Sequence, residues 1–417
     1  MPSRFPFAGL AAGIAGLALA AWQVSAAAQT ATAPAASTAS AATVAPTAPA
    51  PAAFDAAVAR AGEKLFADAR SVVGDAPRPF VIDPLIDAAT GAQTAGTVQM
   101  GEQLAAIVAA KQAQWTVKPL TRETLANAPL LLIGTLTAIH TKNEPTEPAD
   151  AFRIWLTLVD MKTGRIVAKS LDRATVGSVD AAPTKYFRDS PTWHKDRTVT
   201  AYIRSCQIDT KVGDPLDPGY MIRLPAAALL NEAIIAYSEN KLADANRLYR
   251  DASLVSDPDD LRVQNGLYLT HWRLGRKAEA AQAFSRIVAS GLAARQLPLK
   301  LLFTPGTTNF TPLAYMGSQY PLWLGEVSRQ VAQRNVCLKV IGHTSRTGTA
   351  AANDLLSERR ASVIAASLER KTRGLNSRLS SSGVGWRETL IGLGTDDLRD
   401  ALDRRVEFRV VDCAVGS

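Results

Sequence analysis

Apolar and polar positions follow different rhythms in successive parts of the chain. Around Asp55–Val72 apolar residues recur at helical spacing, and Met100–Gln112 reads as a second helix. Short strand-like runs lie between and after them: Pro79–Asp83, Trp115–Leu120 and the Leu- and Ile-packed Pro129–Leu136. Phe152–Val159 begins by alternating apolar and polar residues. Asp160–Gly164 is a turn with its glycine at the end, and Arg165–Lys169 is the return strand of a hairpin. Strands, helices and a closing hairpin in this order predict an α/β domain over residues 55–215. Its end, Lys185–Gln207, crowds Tyr186, Phe187, Trp193 and His194 among charges. Such a mixture suits a protein or glycan contact surface. The preferred reading is an ordered loop whose aromatics pack inward.

Residues 225–292 change to a repeat with a period of 35 residues. Tyr237, Leu242, Ala245, Tyr249 and Ala252 fall at helical spacing, and Trp272, Lys277, Ala280, Phe284 and Ile287 occupy the same places. Small residues let paired helices approach while Tyr249 and Phe284 fill the gap. The pattern resembles the tetratricopeptide repeat. Two repeats cannot bury their own apolar faces, so a neighbouring domain or a second copy is expected to cap them. They would serve as a spacer or as a protein-docking groove.

At the other end, residues 1–28 read as a secretory signal: Arg4 is the only charge, Phe5–Trp22 is apolar, and Ser25–Ala28 offers small residues for cleavage. The alternative is an uncleaved anchor helix. Residues 29–53 are almost wholly Ala, Thr, Pro and Ser without charge, and are expected to be a disordered linker. Both readings of the leader place the rest outside the cytoplasm, where paired cysteines stay oxidised.

The last part, residues 298–413, carries the most specific pattern. Leu301–Phe303 is a strand, and Thr304–Phe310 is a turn rich in hydroxyls. A helix over about Tyr320–Gln333 follows, then the strand Cys337–Ile341. Gly342-His343-Thr344-Ser345-Arg346-Thr347-Gly348 precedes a helix over Asn353–Leu368 that contains Leu356-Ser357-Glu358-Arg359-Arg360-Ala361. A third strand is expected to end at Ile391–Gly394, and Asp403–Val410 leads into and forms the last. Order and motifs resemble the OmpA-like peptidoglycan-binding family: the "GHTD-x-x-G" loop, the "N-x-x-LS-x-x-RA" helix, the "G-x-G" turn and the terminal "RRVE" strand. The resemblance implies a βαβαββ α/β sandwich. It also implies a noncovalent site for the free diaminopimelate end of the peptidoglycan stem peptide. A loop carboxylate there takes the ligand's ammonium, and a helix arginine takes its carboxylate. The arginine position is Arg360. The loop position is Ser345 rather than Asp, which leaves the ammonium without a charged partner in that loop. Thr344 and Asn353 are the other candidate cleft residues. Arg360 also has a plain alternative, an ion pair with Asp354 or Glu358 on its own helix. Arg404 and Arg405 are expected to pair with acids of Asp396–Asp400 or to be solvated.

In the first domain, Leu131–Leu136 followed by the 152–170 hairpin is similar to the periplasmic domains of the CsgG, FlgO, LpoB and TolB-N group. That likeness implies a protein-binding module in envelope assembly. Composition narrows the chemistry further. The net charge of +8 is spread along all 417 residues without a dense basic stripe, which favours a solvated surface over nucleic-acid binding. The four histidines and three cysteines show no metal-ligand spacing. No nucleophile elbow, phosphate loop or metalloprotease motif occurs, so no catalytic residue, metal or cofactor is expected. Cys337 opens one strand and Cys413 ends another. If those strands are antiparallel neighbours both sulfurs share a face, so a Cys337–Cys413 disulfide is expected, with Cys206 left free. The sequence thus describes a multidomain α/β and α protein, a non-enzymatic envelope component of the periplasm, held to the outer membrane or cell wall. It would bind peptidoglycan through residues 298–413 and present its other parts to envelope proteins. The alternative is an assembly factor or regulator whose last domain has lost wall binding and docks proteins.

Overall fold

Two mixed β-sheets, each covered by helices, organise the chain. The computed structural model describes residues 49–142, 147–193, 196–207, 209–258, 260–311 and 317–413. The expected signal at 1–28 and residues 29–48 of the expected linker lie outside them. Ala52 is already bonded to the first sheet: its N–H reaches Arg173 O at 3.1 Å, and its carbonyl accepts from Thr175. The final residues of the presumed linker are therefore tied down.

Helix α1 (Phe54–Val73) buries Ala57, Val58, Ala61, Leu65 and Phe66, residues three and four apart that share one face. Helix α2 (Ala95–Lys111) starts at a reciprocal cap between Thr94 and Thr97. The strands are β1 (Arg78–Ile82), β2 (Trp115–Val117), β3 (Leu130–Ile139), β4 (Ala151–Asp160) and β5 (Arg165–Thr175), with short α3 (Arg122–Ala126) between β2 and β3. Their order is β2-β1-β3-β4-β5, parallel among β2, β1 and β3 and antiparallel beyond. Leu130, Leu132 and Leu136 of β3 join the core of α1 and α2. Leu131 and Ile133 face the opposite core, built with α5 (Arg197–Cys206) and α6 (Pro218–Ser238). Burial on both faces is why β3 reads as one apolar run.

The stretch expected to be a loop instead forms short α4 (Lys185–Asp189) and α5, and within it Tyr186, Phe187 and Trp193 are buried. Helices α7 (Leu242–Ser253), α8 (Leu261–Arg273) and α9 (Lys277–Ala293) complete the repeat region. A side chain at Gly266 would meet Tyr249 at 2.2 Å, so the aromatic fills the space that the glycine leaves.

The second sheet comprises β6 (Gln296–Leu302), β7 (Cys337–Gly342), β8 (Leu379–Gly383) and β9 (Arg405–Val411), in the order β6-β9-β7-β8. With α10 (Tyr320–Arg334) and α11 (Ala350–Lys371) the succession is βαβαββ. One expectation is corrected. The third strand is Leu379–Gly383, whereas Ile391–Gly394 is loop. As an edge strand it exposes Ser380 and Ser381 and lacks an apolar rhythm. Gly392 and Gly394 adopt φ of 74° and 67°, which bends their run away from extended geometry.

Trp323 of α10 joins this unit to the repeats. It is fully buried, stacks on Phe284 at 5.5 Å, and donates its indole N–H to Tyr268 Oη at 2.8 Å. The apolar face of the repeats thus closes against α10 in one core that continues to β6, β7 and β9. On the opposite face of β6, Lys300 is buried and donates to the carbonyls of Phe187 and Arg188. No helix among the described residues is long and apolar enough to cross a membrane.

Cys337 and Cys413 are joined, with Cα atoms 5.2 Å apart, because β7 and β9 are antiparallel and Cys337 pairs with Val411. The bond spans 76 residues, which in the chain-entropy description stabilises by at most about 4–5 kcal/mol. Cys206 is free and buried. Mass spectrometry after alkylation of denatured, unreduced protein should label Cys206 alone; label on Cys337 or Cys413 would refute the pairing. Lys300 provides a second check. Burial lowers its pKa from 10.5 to about 7. Between those values the unfolded chain holds a proton that the folded one has lost, so this residue makes stability rise with pH above about 7. Denaturant unfolding from pH 7 to 9.5 should show a steeper rise for wild type than for Lys300→Met; parallel curves would contradict this.

Candidate functional site

The site forms where β7 ends against α11. A side chain at Gly342 would lie 1.9 Å from Ser357 O, and one at Gly383 would lie 2.3 Å from Glu358 N. Only glycines at both strand ends let α11 lie this close. That approach brings Arg360 beneath the 343–348 loop.

Arg360 is fully buried. Its Nε donates to Thr307 O at 2.9 Å, Nη1 to His343 O at 3.0 Å and Nη2 to Thr304 O at 3.0 Å. Its guanidinium carbon lies 5.0 Å from the Phe303 ring centre. Burial, with Arg404 nearby, lowers its pKa to about 10, so it remains a cation at neutral pH. It does not pair with Asp354, which binds Arg387 at 2.6 Å. Three of its five N–H groups hold backbone carbonyls and two remain. The side chain has no exposed surface, and the turn at 304–310 is bonded to it through the Thr304 and Thr307 carbonyls.

Asn353 acts as a strut. Its Nδ2 donates to Thr347 O at 2.7 Å and Thr349 O at 3.0 Å, fixing the loop onto the first turn of α11. Thr344 is buried, with its backbone N–H on Gly385 O and no partner for Oγ1. Ser345 donates its hydroxyl to the Asp396 carboxylate, and Thr347 Oγ1 donates to the other oxygen of the same group at 2.5 Å. The structure thus gathers Arg360, Thr344, Ser345 and Asn353 around one loop, and adds Asp396.

Sequence reasoning had paired Asp396 only with Arg404 or Arg405. It missed the contact because the hydroxyls and the carboxylate are 51 and 49 residues apart. The signal available was the acidic run after Gly394. Asp396 has a left-handed φ of 54°. Asp400 fixes it there by accepting from the N–H groups of Thr395 at 2.7 Å and Asp396 at 3.0 Å. Arg404 binds Asp400 at 2.7 Å and approaches Asp396 at 3.4 Å, while Arg405 binds Glu407 instead. Buried Asp403 accepts from the N–H groups of Leu390, Ile391 and Gly392, which shapes the preceding part of the loop. The loop also rests on the first α/β unit through Ala149 N–H on Gly392 O at 2.9 Å.

His343 is fully buried at the start of the loop. Its backbone N–H binds Arg405 O, while ring Nε2 lies 3.7 Å from Glu407, too far for a hydrogen bond. His343, Glu388 and Glu407 hold donor atoms within 4.8 Å of one another. Arg405 and Arg409 already bind Glu407, and Arg409 binds Glu388, so guanidinium groups neutralise the carboxylates that a metal ion would need.

Residues 302–401 match the model of the OmpA family, which makes this segment an OmpA-like domain. The match covers neither the first α/β unit nor the repeats, and no comparison supports the CsgG-group or tetratricopeptide likeness. No curated protein matches the chain. Similar solved structures include the peptidoglycan-associated lipoprotein from Burkholderia pseudomallei, 20% identical over 29% of this chain and 92% of that one, with a TM-score of 0.24. The periplasmic domain of Helicobacter pylori MotB is 19% identical over 29% and 74%, with a TM-score of 0.24. The cell wall anchor of the T6SS from Pseudomonas aeruginosa is 20% identical over 31% and 96%, with a TM-score of 0.23.

Truncating Arg360 should cost stability whatever it binds, because the Thr304, Thr307 and His343 carbonyls lose a shared cationic donor. Arg360→Ala is expected to destabilise by about 2–5 kcal/mol in urea unfolding. A loss below about 1 kcal/mol would show that these bonds do not hold the site together.

Proposed function

We propose that this is a non-enzymatic cell-envelope protein that associates with peptidoglycan through its OmpA-like domain. The observation that carries the reading is the placement of the buried Arg360 cation directly under the 344–347 loop, within the segment that matches the OmpA family. A ligand carboxylate would meet the two remaining N–H groups of Arg360 once the 304–310 turn lifts, with Thr344 and the loop backbone beside it. The planar guanidinium suits such a two-point contact. On this reading the chain works in the periplasm at the outer membrane or cell wall. The first α/β unit and the repeats present surfaces to other envelope proteins.

A second reading keeps the domain as a protein-docking module without wall binding. Ser345 at the loop position and the complete burial of Arg360 favour it. Co-sedimentation with sacculi separates the two. The first reading expects retention on diaminopimelate-type sacculi, competition by free diaminopimelate stem peptide, and weaker retention on lysine-type sacculi. Failure to sediment with either type would leave the docking reading.

A further inference from the structure

We propose that Asp396 supplies the carboxylate that receives the ligand's ammonium, so that the anionic half of the site is carried by the loop before β9 and not by the 343–348 loop. This inference rests on the peptidoglycan reading above. A diaminopimelate end bears an ammonium and a carboxylate on one carbon, so a matched site needs an anion and a cation near one another. Arg360 is the cation. At the loop itself the side chain is the neutral hydroxyl of Ser345. Yet that hydroxyl and the one on Thr347 both donate to the Asp396 carboxylate, which brings a full negative charge to the loop.

The carboxylate is also open to a further partner. Two oxygens offer about four acceptor positions. Ser345 and the distant Arg404 approach Oδ1, while Thr347 alone occupies Oδ2. The side chain is 27% exposed, unlike Asp400, which is completely buried and bound by Arg404. The two aspartates therefore divide the work: Asp400 holds the loop, and Asp396 faces outward. The left-handed backbone at Asp396 is unusual for a residue other than glycine, and the structure maintains it through Asp400. One residue before Ser345, the buried Thr344 hydroxyl has no partner and is a further polar group for a ligand.

The arrangement decides what an Asp at position 345 would do. Beside Asp396, a second carboxylate within hydrogen-bond distance would share a proton with the first, and the pair would carry little more charge than one alone. Ser345→Asp should therefore not tighten binding by itself. Moving the charge should preserve it.

The test is co-sedimentation of full-length chains with diaminopimelate-type sacculi, using wild type, Asp396→Asn, Ser345→Asp and the exchange Ser345→Asp/Asp396→Ser. Thermal unfolding of each shows whether it is folded; the 2.7 Å bond from Arg404 to Asp400 does not involve Asp396. Expected are a roughly ten- to hundredfold loss for Asp396→Asn, no gain for Ser345→Asp, and recovery to within a few-fold of wild type in the exchange. If wild type is retained and Asp396→Asn is retained equally, the inference fails while the peptidoglycan reading stands. A tenfold gain from Ser345→Asp alone would also overturn it. If wild type is not retained, the peptidoglycan reading fails and the inference falls with it.

Discussion

One buried cation sets the geometry of the OmpA-like domain. Arg360 reaches from α11 to carbonyls in two separate stretches, Thr304 and Thr307 after β6 and His343 after β7. Burying a guanidinium is costly unless its donors are paired, and backbone carbonyls pair it without the like-charge problem that clustered carboxylates would bring. The same bonds that make burial tolerable also staple the 304–310 turn over the cation. The site is thus closed by its own central residue, and on the proposed reading a ligand carboxylate would compete with that turn.

A second constraint acts at longer range. The helices α8 and α9 turn apolar side chains toward α10, which closes over them with Trp323 against Phe284 and Tyr268. Lys300 and the carbonyls of α4 fasten the other face of β6. The 390–396 loop rests on the first α/β unit, and Asp400 and Asp403 hold its backbone N–H groups. Rigid support on both sides lets a residue such as Asp396 keep a strained backbone.

Much of this was legible in the chain. Strands buried on one or both faces announced themselves through apolar rhythm, and the Cys337–Cys413 pairing followed from side-chain period and antiparallel order. The edge strand Leu379–Gly383 escaped because three serines carry no apolar signal. Motif spacing singled out Arg360, Thr344, Ser345 and Asn353, which the fold brings to one loop. It did not show that Asn353 is a strut, or that Arg360 is sealed beneath a turn some 50 residues earlier. The contact between Ser345 and Asp396 joins segments distant in sequence, and only the folded backbone at Gly392–Asp396 brings them together. Residues that act through long-range polar contacts leave no periodicity behind.

The most direct test of the central claim is an amide NMR titration of the isotope-labelled chain with a stem tripeptide ending in diaminopimelate. The account places the largest shifts at Thr304–Phe310, Thr344–Thr347 and Gly394–Asp397, because ligand entry must displace the turn and engage both halves of the site. An unchanged spectrum at millimolar peptide, or shifts confined to the repeats or the first α/β unit, would contradict it.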